Sequence, residues 1–181
     1  MHEVSLNQVI TDYLTGENIE LTTYEDLRQS LAALMVEEKG YPKTAIVPKY
    51  KLNLTLGSDH YVVCLDFVIH IDDNPALLIG FCPGAVSTFI TQFVCAARIF
   101  NGKPIPYVIV TDCKDAALIR TADKKDLCRG YHCIPDWSKL QALYKEAPAF
   151  ELTESRKNKE SRIVYAMFAL SDSCCTDQCM S

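Results

Sequence analysis

One stretch decides the fold of this chain: residues 76–111, ALLIGFCPGAVSTFITQFVCAARIFNGKPIPYVIVT. Residues 76–82 are too uniformly apolar for a strand with one face in water, so they predict a central, buried strand. Residues 85–100 predict a helix, and residues 105–111 predict a second buried strand. Two strands that are joined through a helix can lie parallel by a right-handed crossover. The stretch therefore predicts the parallel centre of an α/β sheet.

The residues on either side of this unit extend the sheet and cover it. Residues 45–54 and 61–71 predict two strands around a Gly-Ser-Asp turn, and residues 116–120 predict a short edge strand. Helical spacing of apolar residues predicts helices at residues 5–14 and 24–38. The earlier strands are linked by hairpins, so they are expected to be antiparallel. The predicted fold is α/β, with a mixed sheet that is flanked by helices.

The last third of the chain differs in composition. Residues 136–147 predict an amphipathic helix, and residues 163–170 are apolar and compatible with a helix. Between them, residues 151–162 are almost all polar, and the charged part of this run is expected to be a solvated helix face, because glutamates interrupt its basic residues. We therefore predict an α/β domain over residues 1–147 and a C-terminal helical extension with a cysteine-containing tail over residues 148–181.

Composition and charge limit the classes of function. The chain has 181 residues, a hydrophobic content of 49% and a formal net charge of −5, which gives no long-range attraction to phosphate backbones. No run of residues is long and apolar enough for a membrane span, and the first residues do not form a basic end followed by an apolar run. We expect a cytoplasmic protein with no membrane partner. Its nine cysteines are then thiols or metal ligands rather than a disulfide framework.

Three segments together are typical of one protein family. TTYEDLRQSLAALMVEEKGYP at residues 22–42 is followed by strands, by VVCLD at residues 62–66, and by an apolar strand 14 positions beyond Asp66. This pattern resembles the nuclease-like N-terminal domain of type I restriction enzyme R subunits, a branch of the PD-(D/E)xK nuclease superfamily. Its most specific pieces are Leu27-Arg28-Gln29 and the residues 37–42. The resemblance covers about residues 10–120, and it implies a restriction-endonuclease-like fold and a nucleic-acid partner.

The resemblance also implies an active site, of which this chain retains only a part. Family members hold Mg²⁺ between an Asp on one strand and the Glu of a Glu-x-Lys on the next, and the Lys helps to activate the attacking water. Asp66 matches the first metal ligand, and Glu25 and Gln92 match the helical positions that commonly complete the cluster. The Glu-x-Lys positions are occupied by Gly80 and Cys82. The two groups that are decisive for catalysis are therefore missing.

Coordination chemistry makes hydrolysis improbable with these residues. Mg²⁺ requires hard oxygen ligands, whereas Gly80 has no side chain and Cys82 offers soft sulfur. His70 lies on the same strand as Asp66, but four residues separate the two by about 13 Å, too far to share one ion. The leading hypothesis is a non-catalytic binding or regulatory module. A Mg²⁺-dependent DNA endonuclease built on Asp66, Glu25 and Gln92, and a thiol-based redox or metal sensor, are the alternatives.

The cysteines suggest a different ligand set. Cys174, Cys175 and Cys179 fall within six residues of the tail, and some relatives in the superfamily combine such a trio with one upstream cysteine. With Cys82, the four thiolates would suit zinc or an iron–sulfur cluster. Free thiols and a redox disulfide are the other interpretations. Cys128 and Cys133, with His132 between them, form a second and weaker candidate.

Overall fold

The computed structural model describes residues 4–171, which form one six-stranded mixed sheet, a separate two-stranded hairpin and four α-helices. The strand order in the large sheet follows the chain order from β3 to β8, and only the β5–β6 pair is parallel. The elements are β1 Ser5–Thr11, β2 Asn18–Thr22, α1 Thr23–Ala33, β3 Ile46–Leu56, β4 Asp59–Ile71, β5 Asn74–Phe81, α2 Val86–Arg98, β6 Tyr107–Thr111, β7 Ala116–Arg120, β8 Lys125–Arg129, α3 Trp137–Lys145 and α4 Glu154–Ser171. A π-helical turn, Leu34–Glu38, continues α1.

The parallel centre of the sheet is where the sequence predicts it. Strand β5 pairs with β6 in parallel register from Leu77↔Tyr107 to Phe81↔Thr111, and α2 makes the crossover. Side chains alternate between the two faces of β5, so that Leu78 joins the core beneath α2 and α4, and Leu77 joins a second core beside α1 and α3. The predicted architecture, a mixed sheet flanked by helices with a C-terminal helix, is confirmed.

The prediction of a helix over residues 5–14 is wrong, because these residues form strand β1 of a hairpin with β2. The register runs through Val9↔Glu20, Ile10↔Ile19 and Thr11↔Asn18. The apolar residues of β1 have helical spacing, but the run of β-branched residues Val9, Ile10 and Thr11 favours a strand. A turn closed by Asp12 brings the partner strand alongside. The hairpin satisfies backbone groups that a lone strand would leave unpaired.

The prediction that residues 116–120 form an edge strand is also wrong. Strand β7 lies between β6 and β8, and β8 is the edge of the sheet. Strand β8 has the sequence Lys-Asp-Leu-Cys-Arg, and it is charged and exposed along most of its length. It therefore lacks the apolar pattern from which a strand is predicted. Charged side chains on an outer strand are the usual means of preventing edge-to-edge pairing.

The charged run and the apolar run near the C-terminus form one continuous helix, α4, which packs against α2. Val164 of α4 is buried in the core beneath α2. Most of the charged residues are exposed as predicted, but Glu160 is fully buried between Arg98 and Arg156. The division of the chain at residue 147 stays a prediction. Within residues 4–171, no helix has the length and apolar character that crossing a membrane requires.

Candidate functional site

Four charged side chains from three elements meet beside the middle of the sheet. Glu25 and Arg28 lie on the first turns of α1, Lys49 lies on β3, and Asp66 lies on the neighbouring strand β4. Thr22 caps α1 by accepting a hydrogen bond from the backbone N–H of Glu25 at 3.0 Å. Lys49 and Asp66 occupy facing positions of the β3–β4 pair, between Pro48↔Phe67 and Tyr50↔Leu65. The cap and the strand register together position the cluster.

The Glu25 carboxylate is buried, with 1% of the residue exposed, and is surrounded by donors. Arg28 Nη1 forms an ion pair with Glu25 Oε2, and Lys49 Nζ lies 2.8 Å from the same oxygen. Gln29 Nε2 donates to Glu25 Oε1 at 2.8 Å. A buried carboxylate is stable only when its charge is balanced and its oxygens accept hydrogen bonds. Both oxygens of Glu25 meet this requirement through side chains of the protein itself.

Asp66 is linked to Glu25 through Arg28. The Arg28 guanidinium lies 3.4 Å from Asp66 Oδ1, and the backbone N–H of Phe81 donates to Asp66 Oδ2 at 2.8 Å. Only 18% of the Asp66 side chain is exposed. Burial raises the pKa of Asp66, and the Arg28 charge and the Phe81 N–H offset this only in part. The bond to Phe81 ties β4 to the end of β5.

A third carboxylate extends the cluster towards the hairpin. Gln29 Nε2, which donates to Glu25, also donates to Asp12 Oδ2 at 2.8 Å. Asp12 Oδ1 accepts the backbone N–H groups of Leu14 and Thr15 at 2.9 and 2.7 Å. Burial acts to raise the pKa of Asp12, but these hydrogen bonds outweigh it and lower the pKa. Asp12 therefore anchors the end of β1 to α1.

The space beside Gly80, the residue that the sequence resemblance assigns to the family's metal-binding Glu, is closed by an aromatic ring. A Cβ atom added at Gly80 would lie 2.2–2.4 Å from three ring atoms of Phe93. Phe93 belongs to α2, and only 2% of it is exposed. Glycine is therefore the residue that lets α2 pack this closely on β5. The neighbouring residue of α2, Gln92, is also buried.

Cys82, which the sequence resemblance assigns to the position of the family's Lys, is fully buried. Its Sγ lies 3.3 Å from the carbonyl oxygen of Gly84, to which the thiol donates. Burial raises the pKa of Cys82 to about 11, and the charges of Asp112 and Asp66 act in the same direction. Cys82 is therefore a neutral thiol near pH 7. Its proposed partners Cys174, Cys175 and Cys179 lie outside the described residues.

The structure brings together some of the predicted site residues and separates others. Glu25 and Asp66 share one cluster, whereas His70 lies near the end of β4, beyond Asp66. Asp72 and Asp73 form the turn between β4 and β5, with φ angles of 48° and 62°. Within residues 4–171, no group of three or more His, Cys, Asp or Glu side chains is arranged to hold a metal ion.

Four residues have structural roles at this site that were not predicted from the sequence: Asp12, Arg28, Lys49 and Phe93. Arg28 had a usable signal, because a residue three positions after Glu25 on a helix lies on the same face. Asp12 had a weaker one, since an Asp before a turn commonly caps backbone N–H groups. Lys49 and Phe93 reach the site from elements distant in the sequence. No local pattern identifies their contacts.

Comparison with known proteins gives one match. The family model described as type I restriction enzyme R protein N terminus matches residues 23–135, which is more than half of the chain. The matched range includes Glu25, Arg28, Asp66, Gly80 and Cys82, and it contains the whole six-stranded sheet. Searches of curated proteins and of solved structures found no match.

Proposed function

Because the chain belongs to the family of type I restriction enzyme R protein N termini, we propose that it is a nuclease-fold module that binds DNA without cutting it. The family confirms the resemblance found in the sequence, and the mixed sheet is consistent with a restriction-endonuclease-like fold. One observation carries the non-catalytic part of the proposal. The protein's own side chains fill and neutralise the place where the family chemistry requires a metal ion.

Charge balance supports this proposal. Arg28 and Lys49 supply two positive charges beside Glu25 and Asp66. The third carboxylate, Asp12, is held by hydrogen bonds from Gln29 and two backbone N–H groups rather than by a cation. A metal site instead needs an excess of negative charge, since the ion itself supplies the balancing positive charge. A divalent ion would have to displace a guanidinium that is largely buried between the two carboxylates. The cluster is better suited to holding α1 against the sheet than to binding Mg²⁺.

The remaining donor set does not fit Mg²⁺ either. Magnesium needs oxygen ligands in near-octahedral geometry, and Gly80 and Cys82 supply none from their side chains. The space next to Gly80 is occupied by the Phe93 ring. A carboxylate from another residue therefore cannot take this place unless α2 is repacked. We therefore derive no hydrolytic step for this chain.

DNA is the proposed partner because of the family, not because of the net charge of the chain. The formal net charge is −5, so binding would depend on a local group of basic residues rather than on the average field. Lys49 is the most exposed cation of the cluster, with 35% of its side chain accessible. Neutralising each DNA phosphate releases counterions, so such binding weakens steeply as salt is added.

We expect the purified chain to bind labelled duplex DNA and to leave plasmid DNA intact. The test incubates supercoiled plasmid with the protein in Mg²⁺ and, separately, in Mn²⁺, and measures nicking beside gel-shift binding across a salt series. The matched control is Asp66→Asn, which keeps the size of the side chain and removes its charge. Nicking should not exceed that of the variant in either metal, because neither protein has a metal site.

Two outcomes would contradict different parts of the proposal. Metal-dependent nicking that Asp66→Asn abolishes would establish the alternative, a Mg²⁺-dependent endonuclease that uses Asp66 and Glu25. Absence of binding at low salt, where electrostatic contacts are strongest, would overturn DNA as the partner. DNA binding whose affinity changes little with salt concentration would indicate that the protein recognises DNA mainly through contacts other than ion pairs with phosphates.

We also propose the four-cysteine site suggested by the sequence, in which Cys82 and the tail residues Cys174, Cys175 and Cys179 hold zinc or an iron–sulfur cluster. Cys82 is a buried neutral thiol with its pKa raised to about 11, so binding a metal would have to release its proton. Anaerobically purified protein is expected to contain bound zinc, or iron with a brown colour. Cys82→Ala should lose that metal, whereas Cys95→Ala, which removes another buried thiol on α2, should keep it. Metal-free protein with free thiols would exclude the site.

A further inference from the structure

A second group of thiols lies at the edge of the sheet, away from Glu25 and Asp66. Cys128 is on the edge strand β8, where it pairs with Leu118 of β7, and Cys133 ends the 3₁₀ turn Tyr131–Cys133 that follows. Cys128 Sγ lies 3.6 Å from His132 Nε2, within hydrogen-bonding range for sulfur. Cys128 is half-buried and His132 is exposed, so the pair is accessible from solvent. Cys133 is buried, and the neighbouring Cys128 thiol contributes, after burial, to the raised pKa of Cys133, as expected for two thiols that lie close together.

The backbone turn is built to fold His132 back onto Cys128. Gly130 has φ of 93°, a conformation that side chains rarely adopt, and its N–H donates to the Ala116 carbonyl at 2.8 Å. A Cβ at Gly130 would lie 3.0 Å from the His132 ring. The N–H of Cys133 donates to the Gly130 carbonyl at 2.9 Å, which closes the turn. These contacts fix the imidazole next to the Cys128 thiol, and the same closed turn carries Cys133, the next residue after His132.

We propose that Cys128 and Cys133 are a peroxide-responsive dithiol, in which His132 activates Cys128 and Cys133 resolves the oxidised product to a disulfide. This proposal does not depend on the proposed DNA-binding function. The three residues supply the parts that a reactive dithiol needs: a partly accessible sulfur, a base in contact with it, and a second thiol beside it. The site is one of modification, and the reagent is hydrogen peroxide.

The chemistry balances in two steps. His132 takes the proton of Cys128, and the thiolate attacks one oxygen of the peroxide. The O–O bond breaks, and the departing hydroxide accepts the proton from His132 and leaves as water. Cys128 is then a sulfenic acid. Cys133 sulfur attacks Cys128 sulfur, the S–O bond breaks, and the Cys133 proton leaves with the hydroxyl group as a second water. Two thiols and one peroxide give one disulfide and two waters.

The surroundings set the order of the two cysteines. Burial raises the pKa of Cys133 to about 12, and the neighbouring Cys128 adds to the shift, so Cys133 stays protonated and serves as the resolving thiol. Cys113 offers an internal comparison, since it is also half-buried. Burial raises the pKa of Cys113, and the charges of Asp112 and Asp66 raise it further. Cys113 should therefore react with peroxide more slowly than Cys128.

The test treats the reduced full chain with hydrogen peroxide, blocks the remaining thiols with an alkylating reagent and maps every cysteine by mass spectrometry. We expect a Cys128–Cys133 disulfide that dithiothreitol reverses and that forms before Cys113 is modified. His132→Gln should slow the oxidation of Cys128 roughly tenfold, because the variant lacks the base that contacts the Cys128 sulfur. Cys133→Ala should leave Cys128 as a sulfenic acid that dimedone traps.

Three results would overturn the proposal. Cys128 oxidising no faster than Cys113 would show that it is not activated. Pairing of Cys128 with a tail cysteine instead of Cys133 would show that the resolving thiol lies elsewhere. An unchanged rate of Cys128 oxidation in His132→Gln would show that His132 is not the base. The disulfide mapping of the wild-type chain does not depend on whether any variant folds. Circular dichroism of each variant shows whether a lost reaction is due to a lost fold.

Discussion

Replacing Gly80 with alanine is expected to lower the free energy of unfolding by about 3 kcal/mol or more, at the upper end of the range for overpacked cores. The new methyl group would lie 2.2–2.4 Å from three atoms of the Phe93 ring. Phe93 is buried against the sheet, so the rigid ring cannot turn into solvent to make room. Either α2 must move away from β5 or Phe93 must leave its preferred rotamer. The measurement is chemical denaturation, with circular dichroism as the probe.

Gly84→Ala is the matched control, because a Cβ there meets only Phe89, at an ordinary 3.7 Å. Its effect should stay within about 1 kcal/mol. The double variant Gly80→Ala with Phe93→Ala tests the cause, since removing the ring removes the clash. Its cost should be smaller than the sum of the two single costs. Additive costs would show that the methyl group does not contact Phe93, and the explanation for Gly80 would then be wrong.

The same contact explains why the family's Glu cannot simply be restored to this chain. Gly80→Glu would bring the clash and would also place a carboxylate in an apolar core without a partner, which is among the most destabilising changes known. A working metal site would require α2 to be repacked at Phe93, a new acid at residue 80 of β5 and a new amine at residue 82, directly after β5. The packing of Phe93 thus accounts for the glycine at residue 80, and it does not account for the thiol at residue 82.

The sequence predicts best the elements whose signal is local. Residues 76–111 give the parallel strands and the crossover helix correctly, because a continuous apolar strand and a helical repeat are each visible in a short window. The same reasoning gave a wrong prediction for residues 5–14, because Leu6, Val9 and Ile10 have helical spacing although they lie on a strand. The β-branched run at residues 9–11 gave a local hint of a strand, and pairing with β2, a non-local contact, decides between the two interpretations.

The sequence predicted two acidic residues of the site but not the side chains that contact them. Family positions pointed to Glu25 and Asp66, and the structure places both in one cluster. Their neutralisation by Lys49 depends on the register of β3 against β4, and the Phe93 ring depends on how α2 sits over β5. Both are consequences of tertiary packing. A single sequence contains no periodic or spacing signal for either contact.

Replacing Glu25 with alanine is expected to destabilise the fold by about 3–4 kcal/mol, as for other buried charge pairs that lose one partner. Arg28 and Lys49 would face each other without the carboxylate that both now contact, and Gln29 would lose an acceptor. Lys49 is one-third exposed and can turn towards water, which keeps the loss from being larger. Thermal unfolding should show the change as a fall in Tm of roughly 6–16 °C.

Asp26→Ala is the matched control for Glu25→Ala, because Asp26 is the next residue of the same helical turn and is exposed. It should cost no more than about 1 kcal/mol, the scale of a helix-dipole contribution. Adding Lys49→Ala to Glu25→Ala should cost less than the sum of the single changes, since the second change removes a cation that the first left unpaired. If Glu25→Ala instead proved neutral, the cluster would not hold α1 to the sheet, and Glu25 would have to be retained for chemistry rather than for stability.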